Sequence, residues 1–379
     1  MSTDDTAAQD VALDLRATPV ELTRQLVDIP SPSHHEAAIA DAVEAALRQQ
    51  APQLEVLRFN NNVLARTTLG LDSRVILAGH LDTVPIADNV PSTWMEEDGQ
   101  RVLHGCGTVD MKSGDAVFLS TVVELLDRGQ LTRDVTLIMY EGEEVASQYN
   151  GLGHISEHHP EWLRGDVAIL GEPSGGVIEA GCQGTIRLKV TAHGVRAHSA
   201  RAWMGRNAMH VLSPVIARIA AYEPQRITID GCEYREGINI VKCESFVATN
   251  TIPDEAWLFV NYRFAPNKSV EDAMAHLLEV LDLGDTQRHG ADFSVEVDDA
   301  VGGALPGLAQ PAAAELVAAT GGNFRAKYGW TDVSRFSALG IPAVNFGPGD
   351  PALCHKRDER CPVTMIEDVA ATLRTYLSS

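Results

Sequence analysis

His80 and Asp82, in Gly79-His80-Leu-Asp82-Thr-Val-Pro85, stand two residues apart at the end of a short apolar run, Val75-Ile-Leu-Ala. Alternation along an extended segment puts positions i and i+2 on one side, so the Asp82 carboxylate can reach the His80 ring and fix its tautomer. An imidazole that binds a metal needs such a partner, although a surface His-x-Asp pair without a ligand has the same spacing. Four further candidates follow: Asp110 in Gly105-Cys-Gly-Thr-Val-Asp110-Met-Lys112, Glu144 in Glu141-Gly-Glu143-Glu144, Glu172 in Gly171-Glu172-Pro173, and His355 in Cys354-His355-Lys356. Singly, each reads as a solvated charge or a satisfied polar residue. Together, imidazoles and carboxylates suit zinc, with cobalt or manganese as substitutes, whereas an all-oxygen set would suit magnesium or calcium. Five donors exceed what one catalytic zinc uses with a position left open, and two ions sharing a bridging carboxylate accommodate them. Glu143 and Glu144 are adjacent, so their side chains diverge: one can ligate while the other, as general base, faces the water to be activated. The same pair also fits two helix N-terminal acids favoured by the macrodipole.

The elements that must position these side chains are βα units. Val75–Ala78, Val135–Tyr140 and Val167–Leu170 are apolar runs of buried-strand character, each followed directly by candidate acids or a histidine. In an open α/β sheet that strand end is where ligands bind. Capping-box openings predict two early helices, one entered through Thr18-Pro19-Val-Glu21 and one through Ser33-His-His-Glu36 before Ala37–Gln50, which makes His34 and His35 first-turn surface residues. Residues 1–16 read as a loose polar tail. Around Gly184 the pattern changes to alternation, and strand Thr185–Ala192, helix Arg206–Tyr222, strands Ile238–Thr249 and Ala256–Phe264, helix Val270–Leu281 and strand Phe293–Val297 follow in order. This β-α-β-β-α-β run predicts a ferredoxin-like insert at 184–297 within a larger α/β domain with a mixed, largely parallel sheet, at 1–183 and 298–379. Helix Pro311–Thr320, strand Ala343–Phe346 and helix Met365–Leu377 complete the larger domain.

Composition narrows the partners. A chain of 379 residues, 45% hydrophobic, can bury two cores, and no run approaches the ~20 apolar residues of a membrane span. The acidic start Met1-Ser-Thr-Asp-Asp lacks the features of a signal peptide, so a cytoplasmic location is expected. Six cysteines without CxxC spacing suit reduced thiols. A net charge of −22 repels phosphate backbones and makes nucleic acid an unsuitable partner.

The five motifs quoted above, in that order, make the chain resemble the dinuclear zinc exopeptidases and deacylases, over almost its whole length from about Pro19. The resemblance implies two zinc ions per subunit: His80 and Glu172 on one, Glu144 and His355 on the other, and Asp110 bridging, with Asp82 supporting His80 and Glu143 as general base. It further implies a homodimer formed through the insert, whose His198, in Gly194-Val-Arg-Ala-His198-Ser, stabilises the tetrahedral oxyanion. Asn250 and Arg263 of the insert, with Thr331 and Arg335 as main-domain counterparts, then look like contacts to a small N-acyl amino acid bearing carboxylates. Glu179-Ala-Gly-Cys-Gln-Gly184 and Arg196-Ala-His-Ser-Ala-Arg201 resemble the actinobacterial-type branch that removes succinate from N-succinyl-LL-2,6-diaminopimelate in lysine and cell-wall precursor synthesis. Cys182-Gln-Gly-Thr185 and Asp350-Pro-Ala352 depart from the proteobacterial pattern at substrate-contacting places, which keeps an acetylornithine deacetylase or aminoacylase activity as the alternative. A non-catalytic metal-binding homologue is the alternative of another class, and the presence of Glu143 speaks against it.

Overall fold

Alternating short apolar strands and amphipathic helices give a computed structural model whose described residues are 12–284 and 292–379. Contacts divide the chain into two units: one comprises residues up to Ala180, Pro306–Arg325 and Arg335–Ser379, the other Gly181–Leu305 and Ala326–Ser334.

Among the described residues of the larger unit, eight strands form one mixed sheet in the order 55–59, 62–66, 134–140, 74–80, 167–170, 343–345, 178–180, 324–326. Its central strands run parallel: Arg74–His80 pairs with both Asp134–Tyr140 and Val167–Leu170, and Ala343–Asn345 with Val167–Leu170. All of Val75–His80, Asp134–Tyr140 and Val167–Leu170 are buried, as continuous apolar runs require when helices cover a parallel sheet. Four neighbouring parallel strands end at one edge, and each leads into one of the predicted motifs. The helix Lys112–Arg128 packs behind them, buried over most of its length, and begins directly after Asp110.

In the smaller unit, Gly184–His193, Gly237–Glu244, Glu255–Phe264 and Phe293–Val301 form an antiparallel sheet. In chain order its strands lie 4-1-3-2 across the sheet, the ferredoxin-like arrangement. The helices Ala208–Ala220 and Val270–Leu281 cover one face, with Ile186, Leu188, Val190, Leu212, Val260 and Leu277 in the shared core.

Three local expectations are corrected. His34 and His35 precede the helix Ala37–Gln50 instead of opening it; His34 has φ 72°, and the cap residue is Glu36. The Ser33 hydroxyl donates to Asp82 Oδ2 at 2.8 Å in place of capping the helix. A bond to a carboxylate is the stronger choice for that hydroxyl. The polar tail is shorter than expected: residues 1–11 lie outside the described residues, but Leu13 and Leu15 are buried and Arg16 pairs with Asp127. Finally, the strand expected over 238–249 ends at Glu244, and a hairpin, Arg226–Ile229 with Cys232–Arg235, precedes it.

Candidate metal centre

Each predicted donor is delivered by the end of a strand or by the entry to a helix. His80 is the last residue of its strand and fully buried. Its Nδ1 lies 3.0 Å from the main-chain oxygen of Asp82 and 3.6 Å from Asp82 Oδ1. The nearer partner is therefore the carbonyl, which accepts the Nδ1 proton and leaves Nε2 with its lone pair directed at Asp110. Asp82 does a different task from the one its spacing suggests: Oδ1 accepts the N–H of Glu143 at 3.0 Å, and Oδ2 accepts that of Glu144 at 3.1 Å. A buried carboxylate thus fixes the backbone on which the two adjacent glutamates sit. That turn is not the start of a regular helix, so the helix-end reading of Glu143 and Glu144 does not apply.

The five donors come together. His80 Nε2 lies 3.2 Å from Asp110 Oδ1 and 4.0 Å from Glu172 Oε1. His355 Nε2 lies 3.3 Å from Asp110 Oδ2 and 3.0 Å from Glu144 Oε1. Asp110 consequently faces one imidazole with each oxygen, and ligand atoms of His80, Asp110 and Glu144 all fall within 4.8 Å of one another.

Electrostatics show what this cluster lacks. Asp82, Asp110, Glu144 and Glu172 crowd two imidazoles in a mostly buried space. Burial disfavours a charged His80, but the hydrogen bond to Asp110 and the charges of Asp82, Glu143 and Glu172 outweigh it and hold the ring well above its ordinary pKa. Hydrogen bonding to Asp110 raises His355 to about 9, against burial and with help from Glu144. Burial raises Glu144, and the charge of Asp110 raises it further. Imidazoles that hold protons in this way mark a place where cations belong, and the mixed nitrogen and oxygen donors fit a divalent metal of the zinc type.

Residues 76–379 match the peptidase family M20/M25/M40. The chain belongs to this family. It is 61% identical to succinyl-diaminopimelate desuccinylase of Corynebacterium glutamicum, over 97% of this chain and 98% of that one. Among solved structures it resembles the aminopeptidase PepT of Bacillus cereus, with a TM-score of 0.77 at 19% identity over 97% and 98% of the two chains. It also resembles the YXEP protein of Bacillus subtilis, described as a dinuclear metal-binding M20 peptidase, with a TM-score of 0.69 at 16% identity over 95% and 96%. The chain is thus an M20 hydrolase, and M20 enzymes are metal-dependent.

The remaining predicted contacts of this M20 chain are distributed between its units. His198 is exposed on a two-residue strand paired with Thr251–Ile252, next to Asn250, whose carbonyl accepts the Ser199 N–H at 2.8 Å. His198 Nδ1 accepts the Ala200 N–H at 3.1 Å, which leaves the ring proton on Nε2 as a donor. Arg263 lies elsewhere in the smaller unit, half-buried, with its pKa lowered by burial against the pull of Asp299. Thr331 is buried and groups with the smaller unit, not with the larger one to which Arg335 belongs. Arg335 donates to Ser147 Oγ at 2.8 Å, just beyond the Glu143–Glu144 turn. At the two departures from the proteobacterial pattern, Gln183 Nε2 donates to the Arg235 carbonyl at 2.8 Å, and Asp350 Oδ1 accepts the Ala352 N–H at 2.9 Å.

Sequence reasoning passed over Asp115, a fully buried acid whose two oxygens have no hydrogen-bond partner among the described residues. It sits against the backbone beside His80: a Cβ on Gly79 would lie 1.9 Å from Asp115 Oδ1, so only glycine fits there. Burial pushes the carboxyl to about 8, against the pull of His80 and Lys112. The folded protein then holds a proton that the unfolded chain gives up near pH ~3.9. Stability from this proton is fully present below that value and drains away as pH rises to about 8. We expect Asp115→Asn to flatten the fall in melting temperature of metal-free protein between pH 5 and 8; a slope equal to that of the parent would reject a neutral Asp115.

Proposed function

We propose that this hydrolase removes succinate from N-succinyl-LL-2,6-diaminopimelate, using two zinc ions, for which cobalt or manganese can substitute. The observation that supports the substrate is the near-full-length likeness to the corynebacterial desuccinylase. The five converging donors support the metal pair: His80 and Glu172 for one ion, Glu144 and His355 for the other, and Asp110, each oxygen of which faces one imidazole, between them. When bound, such ions polarise the amide carbonyl and lower the pKa of water toward ~7.

The side chains do the rest. Glu143, on the turn fixed by Asp82, takes a proton from the attacking water and returns it to the departing amine. His198, with its proton on Nε2, is the donor for the oxyanion, a contact worth about 3 kcal/mol. Arg263 and Arg335 supply planar donors for substrate carboxylates, with Asn250 and Thr331 as their polar companions. The smaller unit carries the exposed apolar side chains Trp203, Met204 and Phe246, which supports a homodimer formed through it.

Turnover of N-succinyl-LL-2,6-diaminopimelate and of N-acetylornithine by the zinc-loaded protein tests the assignment. We expect the succinylated substrate to be cleaved with a kcat/KM at least tenfold higher. Brisk acetylornithine cleavage without succinyl turnover would transfer the assignment to a related deacylase.

A further inference from the structure

Four residues beyond His355, Glu359 is almost fully buried, at 1% exposure, and its side chain crosses to a different part of the chain. One oxygen, Oε1, accepts three main-chain N–H groups: from Gly107 at 3.0 Å, Val109 at 2.7 Å and Asp110 at 3.0 Å. The main-chain oxygen of Glu359 accepts a fourth, from Gly105 at 3.0 Å. Residues 105–110 therefore wrap around one carboxylate, in a curl that Gly107 permits at φ 89°, where a Cβ would also meet the Lys112 side chain at 2.9 Å. Such a ring of N–H groups is an anion-binding concavity, and here the anion is built into the chain.

The placement has a mechanical consequence. The Asp110 N–H is turned toward Glu359, while the Asp110 carboxylate meets His80 and His355. Directly after Glu359, Arg360–Pro362 pairs with Gln100–His104, the strand that leads into the same loop. The segment carrying His355 and the loop carrying Asp110 are thus joined through both the backbone and the side chain of a single residue. Other bonds shape the loop rim, such as Thr108 Oγ1 to the Gly105 carbonyl at 2.7 Å and the Lys112 N–H to the Gly107 carbonyl at 2.9 Å, but neither reaches the Asp110 N–H.

We infer that Glu359 is a positioning residue for the metal pair: by holding the Asp110 loop against the His355 segment, it sets the separation between Asp110 and His355 at which both can share an ion. This rests on the dinuclear reading of the site. Glu359 touches neither substrate nor the reacting atoms. Its removal should therefore register in metal affinity and ligand geometry, where residues that orient ligands contribute about 10- to 100-fold.

The test is titration of metal-free protein with cobalt(II), following the visible ligand-field spectrum and the binding isotherm, with thermal unfolding of the metal-free protein measured alongside. Glu359→Ala is expected to weaken binding of at least one ion by about 10- to 100-fold and to change the spectrum. Glu359→Gln, which keeps an acceptor oxygen at the same reach, should recover most of both. Glu359→Asp keeps the charge but is one methylene too short, and should resemble Glu359→Ala; it replaces that variant if the alanine protein does not fold. Wild-type affinity and spectrum in Glu359→Ala or Glu359→Asp would overturn the inference, as would equal defects in Glu359→Gln and Glu359→Ala. A parent protein that takes up no cobalt would instead sink the reading of a metal pair.

Discussion

Replacing Glu143 with alanine is expected to reduce kcat by about 10²- to 10⁴-fold while leaving the metal content unchanged, because the side chain supplies proton transfer and not structure. The backbone of the Glu143–Glu144 turn is held from outside the variant residue: Asp82 accepts both N–H groups, and Ser33 secures Asp82 from the other side. Glu144, His355 and Asp110 contact one another without Glu143. The truncation therefore leaves the donor set in place and removes only the group that shuttles the proton. A second signature separates loss of a base from general damage. The acid limb of the pH–rate profile for kcat/KM, set in the parent by protonation of the base, should flatten in Glu143→Ala. Metal analysis together with steady-state kinetics decides the matter: unchanged turnover rejects Glu143 as base, and a loss of metal would make it a ligand.

The same residues show why some parts of the site are legible in sequence and others are not. His80, Glu144 and Glu172 follow apolar runs that can be little other than buried parallel strands, and parallel neighbours end on the same edge. Local pattern thus carried long-range information through a topological rule. The insert was readable for a related reason: its strands and helices alternate in a fixed order, although the hairpin Arg226–Arg235, short and half-exposed, has too weak an alternation to announce itself. Partnerships that no rule of periodicity links were missed. Ser33 reads locally as a helix cap, yet its hydroxyl is taken by an acid 49 positions away. Asp82 reads as the partner of the imidazole two residues before it, yet that ring nitrogen is nearer the Asp82 carbonyl, and the carboxylate turns to the glutamates. Glu359, in a charged run of Lys, Arg, Asp and Glu, has the sequence signature of a solvated acid, and only its three N–H donors reveal it as buried.

Loss of Asp110 should have the larger effect on metal. Each of its oxygens faces a different imidazole, so Asp110→Ala removes a shared ligand, and we expect the variant to lose at least one ion and to retain less than about 10⁻³ of the parent turnover. Stripping the parent with a chelator should abolish activity reversibly, since zinc restores it; added zinc should not restore Asp110→Ala. The metal-free proteins offer an independent check on the electrostatics. In the parent, Asp110 is the first cause of the raised His355 pKa of about 9. A histidine raised on folding contributes stability that is complete below its ordinary value near ~6.5 and is lost as pH climbs through the folded value. The metal-free parent should therefore lose stability between pH 6.5 and 9, and Asp110→Ala should lose less across that interval, because without the carboxylate His355 has less reason to hold its proton. Metal binding opposes the same protons, so zinc affinity of the parent must rise over this range. Melting curves at pH 6, 7.5 and 9, with and without zinc, separate the two effects. Equal pH slopes for both metal-free proteins would show that Asp110 does not govern the His355 charge.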